Sequence, residues 1–169
     1  HNVFDKKQTS MKELLAALKS DFEGHEDLRQ TLLNKTPKYG NDDDYADKYT
    51  RQVFELYYDS VNGRPNTKGG YHRINFLPTT VHVYFGSVIG ATPNGRKASK
   101  PLSEGISPTQ GADRHGPTAV LKSASKIDHL RTGGTLLNQK FNPQLLEDEE
   151  GMDKLVKLIR TYFTMDGHH

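Results

Sequence analysis

The 169 residues contain no cysteine. That absence removes disulfide frameworks, thiolate metal sites and a cysteine nucleophile from the chemistry of this stretch, and it is compatible with a reducing compartment. Apolar residues are also scarce. Only 33% are hydrophobic, and even with the 15 glycines counted in the share stays below the roughly 45–50% of a typical globular domain. A chain of this length can bury about two-thirds of its surface, but the core is thin for a free-standing unit. No excess of one charge is present either: 23 Lys and Arg are interspersed with 21 Asp and Glu for a net +2, so the basic stripe that nucleic acid selects is missing. No apolar run approaches the roughly 20 residues that span a bilayer, and the opening residues lack a signal-peptide pattern. The expectation is a soluble, cytoplasmic protein with no nucleic-acid or membrane partner. The chain opens on His1 rather than a methionine and closes on His168-His169 behind Gly167, so both ends are expected to be cuts.

What is present is mostly helical periodicity. Met11, Leu14, Leu15, Leu18 and Phe22 fall at the three-and-four spacing of one helix face, and Ser10 with Glu13 forms a capping box at its start. Gly24 is a plausible left-handed stop, and a shorter helix over His25–Asn34 follows, closed by Pro37. A third helix, Asp43–Val61, carries Ala46, Tyr49, Val53, Leu56 and Tyr57 on one side and places carboxylates in its first turn, where the helix dipole favours them. Tyr71–Leu77 alternates apolar and polar residues and predicts a strand that stops at Pro78, with Thr79 and Thr80 presented at its carboxyl end. Val81–Ile89 suits a strand or a short helix. Pro117 opens a helix to about Lys126, "GGTLLNQKFNP" predicts a second strand, and Met152, Leu155, Val156, Ile159 and Phe163 predict a last helix over Glu147–Met165. This alternation points to an α/β layout. Two or three strands under so many helices would leave sheet edges unpaired.

Several site readings fail on spacing. "GATPNGRK" lacks the Lys-Ser/Thr pair of a phosphate loop, and Pro93-Asn94-Gly95 is a turn by composition. The histidines, including Asp166 with His168 and His169, Asp128-His129, and His72 with His82, show no ligand spacing for a metal. "NDDDYAD" lacks the glycine and distal glutamate of a calcium loop, and a capped helix start explains it. Ser103, Ser107 and His115 have no nucleophile elbow around them. Thr79 and Thr80 draw more attention, because hydroxyls at the carboxyl end of a strand are where α/β folds bind ligands. Tyr39, between Pro37 and Gly40, is the other candidate; capping by the threonines and packing by the tyrosine are the bland alternatives.

Taken together, "PKYGNDDDYAD", "NFLPTTVHVYFG", "GATPNGRKASKPLSEGISPTQGADRHGPTAVLKSASKID", "GGTLLNQKFNP" and "YFTMDGHH" resemble the C-terminal part of a glycyl radical enzyme of the pyruvate formate-lyase family, nearest its diol and hydroxyproline dehydratase branch. The resemblance implies a ten-stranded α/β barrel within a helical shell, of which these 169 residues form one segment. It would lack both the loop with the catalytic cysteine and the C-terminal glycyl radical domain with its Arg-Val-x-Gly-Tyr motif. By the same resemblance Tyr39 and Thr79 match motifs that line the substrate cavity, Pro78 shapes its wall and Thr80 contributes. The segment alone is expected to be inert, with no catalytic residue and no cofactor or metal of its own. The parent would carry the protein glycyl radical, receive it from a radical S-adenosylmethionine activating enzyme, form a homodimer and eliminate water from a small hydroxylated substrate. Formate acetyltransferase and C–N lyases such as choline trimethylamine-lyase are the alternative activities. A non-enzymatic barrel remnant that binds a partner is the alternative of another class.

Overall fold

The computed structural model describes residues 1–165; Asp166, Gly167, His168 and His169, with the helix stop and histidine cluster expected there, lie outside the described residues. The helices are α1 Met11–Lys19, α2 Glu26–Asn34, α3 Asp44–Val61, α4 Val81–Val88, α5 Pro117–Ala124 and α6 Glu149–Thr164, with short 3-10 turns at His129–Arg131 and Pro143–Leu146. They sort into two compact units. The first joins His1–Pro37 to Thr80–Leu102, and the second joins Lys38–Thr79 to the chain from Ser103 onward. Among the described residues no helix is long and apolar enough to cross a membrane.

In the first unit, Ser10 caps α1 by accepting the Glu13 amide at 3.1 Å, while the Glu13 carboxylate accepts the Thr9 hydroxyl rather than closing a full capping box. The core is Leu14, Ala17, Phe22 and Leu32, flanked by Val3, Leu18, Leu28 and Ala91; each fully buried Leu or Phe contributes about 1.5–3 kcal/mol. Phe22 reaches this core by a different route from the one its spacing predicts. The helix ends at Lys19, Asp21 and Phe22 turn left-handed at φ +51° and +66°, and the Phe22 amide closes on Ala17 O at 2.7 Å. Val81–Val88 is a helix. Gly86 lets the chain cross it closely, since a Cβ there would stand 2.4 Å from Lys100 O and 2.6 Å from Pro101 Cα.

The polar passage that follows α4 is organised by Arg96, only 8% exposed. Its guanidinium donates to the carbonyls of Gly86, Ile89, Gly90 and Lys100 and to Thr92 Oγ1. A guanidinium has five N–H donors in a fixed fork and no acceptor. Here they gather carbonyls from the end of α4 and beyond, where helix geometry leaves oxygens unpaired. Pro93-Asn94-Gly95 is the expected turn, with Gly95 at φ +95° and its amide on Thr92 O at 3.0 Å.

In the second unit the core is Phe54, Ile74 and Ile127, surrounded by Tyr58, Val61, Phe76 and Ile106. Phe54 stacks on Phe76 with ring centroids 5.7 Å apart. Arg131 fastens α3 from outside, with bonds of 2.8 Å to both Glu55 oxygens and its guanidinium 3.9 Å from the Tyr58 ring centre. α3 corrects the sequence reading: the buried face is Asp47 and Phe54, whereas Tyr49, Val53, Leu56 and Tyr57 are exposed. The buried face carries a carboxylate among its apolar residues, so apolar periodicity favours the other one. α6 behaves alike, with Met152, Val156, Ile159 and Phe163 exposed.

The expected strands are the larger correction. Within the described residues there is no strand ladder, only isolated bridges, Pro65 with Tyr71 and, in parallel, Phe76 with Thr135. The alternation survives, with Ile74 buried and Arg73 and Asn75 exposed. Four backbone bonds mark a parallel seam continued by a further chain segment: Gly133 N to Ile74 O, Phe76 N to Gly134 O, Leu136 N to Phe76 O and Ile106 N to Leu136 O. A strand needs neighbours along its length, and here pairing stops where Pro78 removes the next donor.

Candidate functional site

The loop from Lys38 to Asp43 enters α3, and nearly every polar group in it is assigned. Asp43 is the N-cap, its Oδ1 accepting the amides of Tyr45 and Ala46 at 2.9 and 3.2 Å, so the acidic run is a helix start as its spacing predicts. Asn41 Nδ2 donates to Ala112 O at 2.7 Å, and Asn41 Oδ1 accepts the amides of Arg114 and His115 at 2.7 and 3.1 Å. Gly40 has φ +95°, and a Cβ there would stand 2.3 Å from Pro108 Cγ, so both conformation and space demand glycine.

Beneath the loop lies Ser123 of α5, 1% exposed. Its Oγ accepts the amides of Gly40 at 3.2 Å and Asp42 at 2.9 Å, and its proton goes to Asp47 Oδ2 at 2.9 Å. A hydroxyl has one donor and two acceptor sites, so all three are used. Lys126 Nζ completes the arrangement with Asp47 Oδ2 at 2.7 Å, Asp44 Oδ1 at 2.8 Å and Asp42 Oδ1 at 3.1 Å. Burial by itself would lower the Lys126 pKa, but its bonds to Asp44, Asp47 and Asp42 overturn that and hold it above the ordinary lysine value. Asp42 is held below the usual carboxylate range by its bonds to Lys122 and Lys126.

Tyr39 sits on this support. Its hydroxyl donates to Ile106 O at 2.9 Å, and burial, with a smaller push from the Asp47 charge, raises the phenol well above its ordinary pKa. Tyr39 is therefore a neutral phenol whose one proton is committed, with lone pairs left to offer a hydrogen-bond donor. It borders a cavity of about 370 Å³ whose other walls include Val53, Phe54, Phe76, Ile106 and Ile127. Pro78 and Thr79 are not among those walls; Pro78 is half-buried and Thr79 exposed. Thr80 belongs to the first unit, where it is the N-cap of α4 without a side-chain cap bond. Two larger cavities in the second unit, about 460 and 510 Å³, lie along α6 and touch none of the four predicted residues.

Ser103 bonds Thr109 and His115 bonds Asn41 O, which leaves no serine–histidine pair. Among the described residues no three His, Asp or Glu side chains gather as a metal site would require. Sequence reading missed Asp47, Ser123 and Lys126. The available signal was position: Asp47 shares a helix face with Phe54, Tyr58 and Val61, and Ser123 falls among the apolar residues Ala119, Val120, Leu121 and Ala124.

The pyruvate formate lyase-like family model matches residues 1–86 and the glycine radical model residues 102–169. The chain belongs to the pyruvate formate lyase-like family. It is 56% identical to the trans-4-hydroxy-L-proline dehydratase of Clostridioides difficile over 169 residues, 100% of this chain and 21% of that protein. The crystal structure of that dehydratase, with trans-4-hydroxy-L-proline bound, superposes at TM-score 0.94 with 56% identity over 99% of this chain and 21% of its own. The glycerol-bound, B12-independent glycerol dehydratase of Clostridium butyricum matches at TM-score 0.88 and 42% identity over 97% of this chain and 21% of its own. The chain thus spans about a fifth of the length of these relatives, and its local fold is that of glycyl radical enzyme structures.

Proposed function

We propose that this chain is wall and support of the substrate cavity in a glycyl radical dehydratase that removes water from a small hydroxylated compound. The observation that carries the reading is the match along essentially the whole chain, in sequence and in backbone, to a hydroxyproline dehydratase with its substrate bound. In this reading the seam at Phe76 and Thr135 is part of a ten-stranded barrel wall completed by further chain. The enzyme is a cytoplasmic homodimer activated by a radical S-adenosylmethionine enzyme, and its protein-based radical supplies the hydrogen abstraction. Having no cysteine, these residues bind and orient. Tyr39 accepts a hydrogen bond from a substrate hydroxyl or ammonium, because its own proton is held by Ile106 O. Thr79 offers an exposed hydroxyl beside the Pro78 wall. Fixing the substrate's orientation out of water is how such groups lower a barrier without taking part in bond cleavage.

The test is anaerobic turnover by the activated full-length polypeptide on trans-4-hydroxyproline, glycerol, propanediol, choline and pyruvate. Loss of water from one hydroxylated substrate is expected, and turnover of pyruvate or choline alone overturns the reading. Thr79→Ala should raise KM about tenfold if it removes one hydrogen bond of about 1–1.5 kcal/mol; unchanged kinetics would remove Thr79 from the site.

A further inference from the structure

We propose that Ser123 is a positioning residue for Tyr39: its buried hydroxyl, fixed by the Asp47 carboxylate, sets the backbone that presents the phenol. The inference rests on the reading that Tyr39 faces substrate. Ser123 accepts the amides of Gly40 and Asp42, two residues that turn left-handed at φ +95° and +56°. Those amides flank the stretch that Asn41 ties to the 112–115 segment. A left-handed residue other than glycine carries a conformational cost, small for an aspartate such as Asp42, that surrounding bonds offset. Tyr39 directly precedes Gly40, and its hydroxyl donates to Ile106 O. A change in the Gly40 or Asp42 backbone therefore swings the phenol off both its carbonyl and the cavity.

The hydroxyl would not hold its direction alone. Asp47, 1% exposed, takes its proton, which turns both lone pairs of Ser123 toward the loop. Lys126 holds that same Asp47 oxygen. The chain of contacts runs from α3 through α5 and back to the loop that opens α3. Its members sit 76 to 83 residues apart in sequence, so no local turn can replace it.

The experiment is a double-mutant cycle in the activated full-length enzyme, with trans-4-hydroxyproline as the probe substrate, combined with amide exchange. Tyr39→Phe should raise KM about tenfold, and Ser123→Ala should raise it by a similar factor with a smaller effect on kcat. In the Tyr39→Phe background, Ser123→Ala should add less than about twofold, because contacts that act through one another are non-additive. Exchange at the Gly40 and Asp42 amides should quicken at least tenfold while that of α6 stays unchanged. Full additivity of the two KM effects, or equal acceleration in α6, would show a merely structural serine and overturn the proposal. An unchanged KM in Tyr39→Phe removes the substrate-facing reading instead, and unchanged exchange at Gly40 and Asp42 in Ser123→Ala removes the lock. If Ser123→Ala yields too little folded enzyme, Asp47→Asn carries the same cycle at smaller amplitude. A KM rise that vanishes without the Tyr39 hydroxyl supports positioning, and any other result overturns it.

Discussion

In the first unit a cation is sunk among neutral carbonyls, and in the second a carboxylate is sunk against a hydroxyl and an ammonium. Arg96 draws its partners from within ten residues of itself and so organises a passage that has almost no apolar side chains. Ser123, Asp47 and Lys126 join segments about eighty residues apart. Both pins answer the same deficit, a polar loop that hydrophobic burial cannot hold, but the local one closes a small loop and the distant one a large one. The entropy of closure grows only slowly with length, so the distant pin costs little more and gains a geometric link between two helices.

The largest loss is expected at Arg96. Arg96→Met removes the donors of four carbonyls, those of Gly86, Ile89, Gly90 and Lys100, in one buried and three part-buried bonds, and not all of these oxygens can find water. A loss of about 3–5 kcal/mol is expected in urea unfolding of the full-length polypeptide, with new protease cleavage in residues 90–102. Arg96→Lys should recover only part of it, since an ammonium has three donors and no fork. A stability change below about 1 kcal/mol in Arg96→Met would show that the guanidinium only decorates the loop.

Smaller losses are expected at Gly86 and Lys126. Gly86→Ala gains about 1 kcal/mol of helix propensity but drives a Cβ into Lys100 O and Pro101 Cα at 2.4 and 2.6 Å, both backbone atoms that cannot rotate away. A net loss of about 2 kcal/mol is expected. Lys126→Met strips the ammonium from Asp47 and leaves a buried carboxylate with Ser123 as its remaining partner. The full cost of orphaning a buried charge is discounted here, because the Lys126 side chain is 25% exposed and water can replace part of it, so about 2 kcal/mol is expected. Double replacement at Lys126 and Asp47 by Met and Leu should cost less than the sum.

How much of this could be read beforehand follows the same division. Helices α1, α2, α3, α5 and α6 stand within a few residues of their predicted bounds, because capping residues and periodicity are local signals. The turn at Asn94-Gly95 was legible for the same reason. The inward face of α3 was not: Phe54 and Tyr58 share it with a carboxylate, Asp47, which a hydrophobic pattern rejects until its partners are known. The strand over Tyr71–Leu77 was read correctly as alternation and wrongly as a ladder, since Ile74 turns in but pairing depends on neighbours that no local window contains. Tyr39 was legible as a candidate between Pro37 and Gly40. What holds it was not, because nothing in "PKYGND" names a serine 83 residues away.

The smallest expected effect separates the two pins by pH. Asp42 has a folded-state pKa below its unfolded value because of Lys122 and Lys126, so it contributes stability that is fully present above about pH 4, the ordinary carboxylate value. That contribution is lost as pH falls through the lowered folded value. Lys126 is shifted upward by its carboxylate partners. Its contribution is complete below about pH 10, the ordinary lysine value, and is lost as pH rises through the raised folded one. Protection of the Gly40 and Asp42 amides should therefore be flat between about pH 5 and 9 and weaken on both sides. The turn at Thr92–Arg96 offers the internal control: the amides of Thr92 and Gly95 are bonded to backbone oxygens and that of Arg96 to Asn94 Oδ1, none of which has a proton to gain near pH 4, so these amides should keep their protection on acidification while those of the second unit's loop do not; Ala98, whose amide donates to Asp21 Oδ1, is left out of the control. Parallel acid loss in both loops would mean that unfolding as a whole, and not discharge of Asp42, sets the acid limit.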